Sequence, residues 1–243
     1  MSALKIIHTA DLHGKLDARR AEALGFLREK SGALLLDSGD AITAGNIYVR
    51  RGGEPVLDLM NRAGYDAMAV GNREYYFRKR GLLHKTARAK FAVLSANLLP
   101  REDELGHIQR WAVVDVGGER VGLFGLTPTM IRPGGWVEAF SDLRFIPWRQ
   151  AAREAVAALQ QEATWLVALS HLGLKSDVRL ARICPELDLI LGAHSHLSEA
   201  ETLREGGIAI SHCGCYGRQA AVIDLAREGE IKTRIERTLV DLV

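Results

Sequence analysis

Cysteine is scarce, at 3 in 243 residues, and an odd number of thiols cannot all pair within one chain, so no disulfide framework is needed for folding. Six prolines, with 47% apolar and 26% charged residues, exclude collagen-like and disordered chains. No apolar run reaches the roughly 18 residues a spanning helix requires, so no membrane partner is predicted. Excess charge is missing too. The 32 basic residues meet 30 acidic ones, and a net +2 does not indicate nucleic acid. Neither a G-x-G-x-x-G nor a Walker-type glycine loop occurs. The opening MSALKIIHTADLHG has no charged leader before a long apolar stretch, which predicts a cytoplasmic protein.

What remains is an ordinary apolar core divided into alternating short segments. Continuous apolar runs predict strands near 4–9, 33–37, 66–70, 91–95, 165–170 and 187–192. Helical periodicity places helices from about Asp17, from Pro55, over 75–89, from Pro147 to about Glu162, and from Ser176 or Asp177 to Cys184. Residues 111–126 read as strand, Gly117-Gly118 turn, strand; residues 208–240 read as strands with a turn at Gly229. The polar stretch 97–109 reads as an excursion, and no linker separates two halves, so the fold class is α/β with one domain over 1–243.

Five strands end in residues that bind metals. Asp11 and His13 follow the first and, two apart on an extended chain, face one side. Asp40 follows the second after Gly39, Asn72 the third after Gly71, His171 the fourth, and His194 and His196 the fifth. Any one of these is weak evidence, since a lone D-x-H arises by chance and a lone histidine is often a hydrogen-bonded core residue. Their order, each directly after an apolar strand, is specific. Ligands of open α/β sheets lie beyond the carboxyl ends of the strands, so the five segments are expected to converge. Seven oxygen and nitrogen donors without thiolate suit two divalent ions sharing Asp40, with Mn, Fe, Zn or Co the fitting metals.

This series resembles the calcineurin-like metallophosphoesterases. The segments IIHTADLHGKL, LLLDSGDAITAG, VALSHLGLKSD, LDLILGAHSH and CGCYGRQAAVIDL are similar to the catalytic domain of bacterial 5'-nucleotidases. The resemblance implies a four-layer α/β/β/α metallophosphoesterase sandwich. It also implies that Asp11, His13 and His196 hold one ion, Asn72, His171 and His194 the other, and that Asp40 bridges them. The implied activity is hydrolysis of a small anionic phosphate ester by water that the metals activate. The pattern fills 1–243, so no nucleotide-specificity domain is expected.

One motif departs from the family. Where G-N-H-E and then F-D are usual, the chain reads Gly71-Asn72-Arg73-Glu74-Tyr75-Tyr76, so Arg73 replaces the histidine and Tyr76 the aspartate that orients it. A guanidinium can stabilise phosphoryl oxygens but cannot give up a proton, and general-acid help is worth about 10² to 10⁴ in rate. Arg73 is therefore the candidate catalytic residue, unless it turns away to pair with Glu74 or a neighbouring carboxylate. Tyr75, Tyr76 or a metal-held water is left to supply any proton. Alternatives are a retired scaffold that binds a partner, and a hydrolase of sulfur-containing esters on the same fold. The basic residues Arg78, Lys79, Arg80, Lys85, Arg88 and Lys90 read mostly as a solvated face, and Cys213 and Cys215 as small buried residues.

Overall fold

Apolar runs without helical period become strands, and in the computed structural model, which describes residues 3–132, 134–198, 202–228 and 232–242, they build two stacked sheets. In chain order these are β1 (Ala3–Thr9), β2 (Leu34–Asp37), β3 (Ala67–Ala69), β4 (Ala92–Leu94), β5 (Leu98–Pro100), β6 (Ile108–Gln109), β7 (Trp111–Val116), β8 (Glu119–Leu126), β9 (Leu143–Phe145), β10 (Trp165–Ser170), β11 (Leu189–Gly192), β12 (Leu203–Glu205), β13 (Ile208–His212), β14 (Gln219–Glu228) and β15 (Lys232–Asp241). The helices are α1 (Ala18–Ser31), α2 (Pro55–Ala63), α3 (Lys79–Thr86), α4 (Trp136–Ala139), α5 (Trp148–Leu159) and α6 (Leu174–Ile183). One sheet runs β15-β14-β1-β2-β3-β4-β6 and the other β12-β13-β11-β10-β8-β7, while β5 pairs with β9. The centres of both sheets are parallel, from β1 to β6 in the first and from β8 to β13 in the second, so within each sheet these carboxyl ends share one edge.

Strands buried on both faces must be apolar throughout, and their side chains divide by alternation. Leu34 and Leu36 enter the layer between the sheets with Ile6, Leu123, Val167 and Leu191, whereas Leu35 faces outward with Leu24, Leu57 and Met60 of α1 and α2. On the other side Phe124 and Ala168 meet Ala155 and Leu159 of α5 and Leu180 of α6. Three cores between four layers give the α/β/β/α sandwich that the resemblance implied. The sheets approach closely at Gly125, where a Cβ would lie 2.1 Å from the Leu94 carbonyl oxygen. Backbone on both sides cannot yield cheaply, so Gly125→Ala is expected to cost about 2 kcal/mol, a fall in Tm of about 5 °C in a thermal melt.

Helix ends follow sequence chemistry in α1 and α2. The Asp17 carboxylate accepts from the Arg20 amide at 2.9 Å, Gly32 closes α1 at φ 66°, Pro55 opens α2 and Gly64 closes it at φ 80°. Two expectations need correction. The helix predicted over 75–89 is only Lys79–Thr86, because the carbonyls of Arg73 and Tyr75 are taken by a lysine ammonium rather than by helical amides. The helix expected from Ser176 or Asp177 begins at Leu174 after Gly173 at φ 82°, and Asp177 is instead buried against Ser170 and His212. The excursion at 97–109 contains β5 and β6, and the turn at Gly229 lies outside the described residues. No helix among the described residues is long and apolar enough to cross a membrane.

Candidate metal centre

β1 delivers Asp11 and His13, β2 Asp40, β3 Asn72, β10 His171, and β11 His194 and His196. The segments beyond the strands are stitched together by their own backbone. The Asp11 amide donates to Gly39 O at 3.0 Å, the His13 amide to Asp40 O at 2.9 Å, and the His194 amide to Asp11 Oδ2 at 2.9 Å. Glu74, fully buried, accepts from the amides of Gly71 (2.8 Å), Asp40 (2.9 Å) and Ile42 (3.2 Å), so one carboxylate frames the turns that carry Asp40 and Asn72. Burial pushes that carboxyl up, and the charge of Asp40 pushes it further in the same direction.

Seven described non-glycine residues have positive φ, and five are Asp11 (50°), His13 (49°), Asp40 (56°), His194 (69°) and His196 (53°). The extended arrangement expected for Asp11 and His13 is thus incorrect. Both lie past the end of β1 in left-handed backbone, which costs of order 1–2 kcal/mol per residue and persists only where surrounding bonds impose it.

Donor atoms gather in two groups, Asp11 with His13 and His196, and Asp11 with Asp40 and His171, each set within 4.8 Å. Asp11 Oδ1 is 3.5 Å from His13 Nε2, 3.4 Å from His196 Nε2 and 3.8 Å from His171 Nε2. Asp40 directs Oδ1 to His171 Nε2 at 3.4 Å and Oδ2 to His13 Nε2 at 3.6 Å, so its two oxygens face the two groups. Asp11 borders both groups, which the resemblance did not indicate. His194 falls outside both, with its ring centroid 5.1 Å from that of His171. Asn72 sits between two residues pressed on Asp40: the Arg73 amide donates to Asp40 Oδ1 at 2.7 Å, and a Cβ on Gly71 would lie 2.3 Å from the same oxygen.

Whether these residues fit a cation is tested by their unused valences. Asp11 Oδ1, His13 Nε2, Asn72 Oδ1 and His171 Nε2 are buried with no hydrogen-bond partner. Leaving a buried polar atom unpaired costs about 1–3 kcal/mol, and Asp11 Oδ1, His13 Nε2 and His171 Nε2, which lie within the two groups, fit a cation that would satisfy them. His171 Nδ1 donates to the Ser38 carbonyl at 2.8 Å, which fixes the ring and leaves Nε2 to the site. Electrostatics agree. Burial alone would lower the His171 imidazole, yet Asp40 and Asp11 raise it to about 9. Burial would likewise raise the Asp40 carboxyl, but His13 and His171 hold it well below the usual carboxylate range. The pocket favours positive charge at the point where the donors meet.

Arg73 faces this centre and does not pair with Glu74. Its side chain is 31% exposed, with Nε 3.8 Å from Asp40 Oδ2 and Nη1 donating to the Thr43 carbonyl at 2.9 Å. Tyr75 is excluded as a proton source, because its ring packs on Phe145 at 5.5 Å in the core and burial pushes its phenol up to about 12. Tyr76 lays its ring on Gly81, where a Cβ would be 2.3 Å from the ring edge. Of the two cysteines, Cys213 is buried as expected and Cys215 half-buried, and burial raises both thiols.

Sequence reasoning missed several contributors. Ser38 receives His171 on its carbonyl, and its hydroxyl bonds His8 Nε2 at 2.9 Å and donates to the Leu191 carbonyl at 2.8 Å, tying the two sheets together behind the site. Tyr216 stands edge-on to His13 and His196 at 5.2 and 5.7 Å, and its amide donates to Asp11 O at 2.8 Å. Its segment CGCYGRQAAVIDL is a signal for that placement. Lys85, expected on a solvated face, is 1% exposed, and nothing in the local pattern marks it.

Comparisons with known proteins give the family and the fold. A snake venom 5'-nucleotidase from Gloydius brevicauda is 31% identical, over 79% of this chain and 37% of its own length. The trifunctional nucleotide phosphoesterase YfkN of Bacillus subtilis is 28% identical across 95% of this chain and 18% of its own. The crystal structure of a 5'-nucleotidase precursor from Thermus thermophilus superposes with a TM-score of 0.79 at 26% identity, covering 99% of this chain and 54% of that one. The chain thus spans about half the length of these relatives or less. The model of the calcineurin-like phosphoesterase family matches residues 4–198, four-fifths of the sequence, and the chain belongs to that family.

Proposed function

We propose that the protein is a two-metal phosphoesterase, with Asp11, His13 and His196 holding one divalent ion, Asn72, His171 and His194 the other, and Asp40 shared. The observation that carries this reading is the set of buried, unpaired atoms Asp11 Oδ1, His13 Nε2 and His171 Nε2, with both histidine nitrogens within 3.8 Å of Asp11 and Asp40 oxygens. Divalent Mn, Fe, Zn or Co bound there would supply an activated water and positive charge for the phosphoryl oxygens. The protein's own part is positional. Ser38 and Glu74 hold the ligand loops, and Arg73, permanently charged and 3.8 Å from Asp40, offers its planar fork to oxygens of a bound phosphate. Arg73 stands in the place of the family histidine and cannot give up a proton, and Tyr75 is buried in the core, so esters with good leaving groups are preferred. The relatives named 5'-nucleotidase and nucleotide phosphoesterase support a nucleotide-related ester as substrate.

The test is hydrolysis by manganese-loaded protein of p-nitrophenyl phosphate, its bis-ester, and AMP as a poor-leaving-group ester. Hydrolysis is expected to stop on chelation and return with manganese, and the nitrophenyl esters should lead by about 10² or more, the scale of a missing general acid. Protein that takes up two ions yet hydrolyses none of a broad ester panel contradicts the proposal and returns the retired scaffold.

A further inference from the structure

Lys85 is a lysine buried to 1% exposure beside a site that needs its own charge arranged with care. Its ammonium donates to Gly45 O at 2.7 Å, Arg73 O at 2.7 Å and Tyr75 O at 3.1 Å, so all three N–H groups are used. The ring of Tyr76 covers it, with the centroid 5.7 Å from Nζ. Burial lowers the ammonium to about 8, against the pull of Glu74, Glu54 and Asp40, so it remains charged at neutral pH.

The three carbonyls come from two loops far apart in sequence, and both belong to Arg73. One loop carries its backbone. The other carries its acceptor, since Arg73 Nη1 donates to Thr43 O two residues before Gly45, and the Thr43 amide is held by buried Glu54 Oε2 at 3.1 Å. One buried ammonium therefore pins both the root of the arginine and the point on which its guanidinium rests. The aspartate that orients the family histidine is absent, with Tyr76 at its position over Lys85. We propose that Lys85 is a positioning residue that fixes Arg73 toward Asp40, doing by a backbone clamp what a carboxylate partner would otherwise do. This rests on the phosphoesterase reading, in which Arg73 meets a phosphoryl group.

Such a role separates phosphate binding from metal binding. In manganese-loaded protein, calorimetric titration with inorganic phosphate, alongside the bound-metal count, is the measurement for Lys85→Met, Lys85→Gln, Arg73→Ala and the Arg73→Ala/Lys85→Met double variant. Lys85→Met should keep its metal and lose about tenfold in phosphate affinity, one lost charge-assisted bond. Lys85→Gln, which keeps donors for some of the carbonyls and serves if the methionine variant does not fold, should lose less. The double variant should bind phosphate no more weakly than Arg73→Ala alone, because a residue acting through Arg73 has nothing left to position. Unchanged affinity in Lys85→Gln and Lys85→Met, or losses that multiply in the double variant, overturn the positioning role. Wild-type protein that holds two ions and binds no phosphate overturns the phosphoesterase reading instead, and the clamp loses its purpose with it.

Discussion

Asp40→Ala is expected to lower kcat/KM for p-nitrophenyl phosphate by at least about a thousandfold and to leave fewer than two ions bound per chain. Its two oxygens lie 3.4 Å from His171 Nε2 and 3.6 Å from His13 Nε2, one toward each group, whereas Asp11 reaches the same two nitrogens through Oδ1 alone. Removing the carboxylate also removes the acceptor of the Arg73 amide, so the arginine loop loosens together with the metal site. Asp40→Asn separates charge from shape, since asparagine tolerates the φ of 56° and keeps an oxygen for that amide. It should fold with a similar melting curve in chelator and still lose metal. Elemental analysis with steady-state kinetics reads both effects, and an Asp40→Ala protein retaining two ions and near-normal turnover would remove Asp40 from the centre.

Arg73→Ala is expected to cost about 10- to 100-fold in kcat/KM with the metal count unchanged, because a hydrogen bond to a charged group is worth about 1.5–3 kcal/mol and each 1.36 kcal/mol is a factor of ten. Arg73→His supplies the residue that the resemblance implies at that position but not its orienting partner, since Tyr76 carries no carboxylate and rests on Gly81. That variant should therefore fall below the wild type on nitrophenyl esters and narrow the gap to alkyl phosphates, where a proton donor counts most. Activity of Arg73→Ala equal to wild type would show that the guanidinium takes no part, and a rise in all activities of Arg73→His would favour a retired site.

The sandwich is legible in the sequence because parallel strands buried on both faces must be written in continuous aliphatic residues, as Leu34-Leu35-Leu36 and Leu189-Ile190-Leu191 are. The gathering of Asp11, His13, Asp40, His171 and His196 is legible from their common place after such strands. Their backbone is not. Left-handed φ at Asp11, His13 and His194 is held by amide bonds to Gly39 O, Asp40 O and Asp11 Oδ2 on distant segments, and no local propensity encodes it. Lys85 is hidden for the same reason: in a stretch rich in basic residues at the end of a short helix it looks solvated, and only the carbonyls of Gly45, Arg73 and Tyr75, brought together by the tertiary fold, make its burial tolerable. Asp177 looks like a helix cap because its partners, Ser170 and His212, arrive from strands that sequence spacing does not bring near it.

Anomalous diffraction from a manganese-soaked crystal addresses the metal centre most directly. Two peaks are predicted, one beside Asp11, His13 and His196 and one beside Asn72, His171 and His194, with Asp40 contacting both. A map with no peak there, or a single ion that leaves either trio of side chains without metal, would contradict the account.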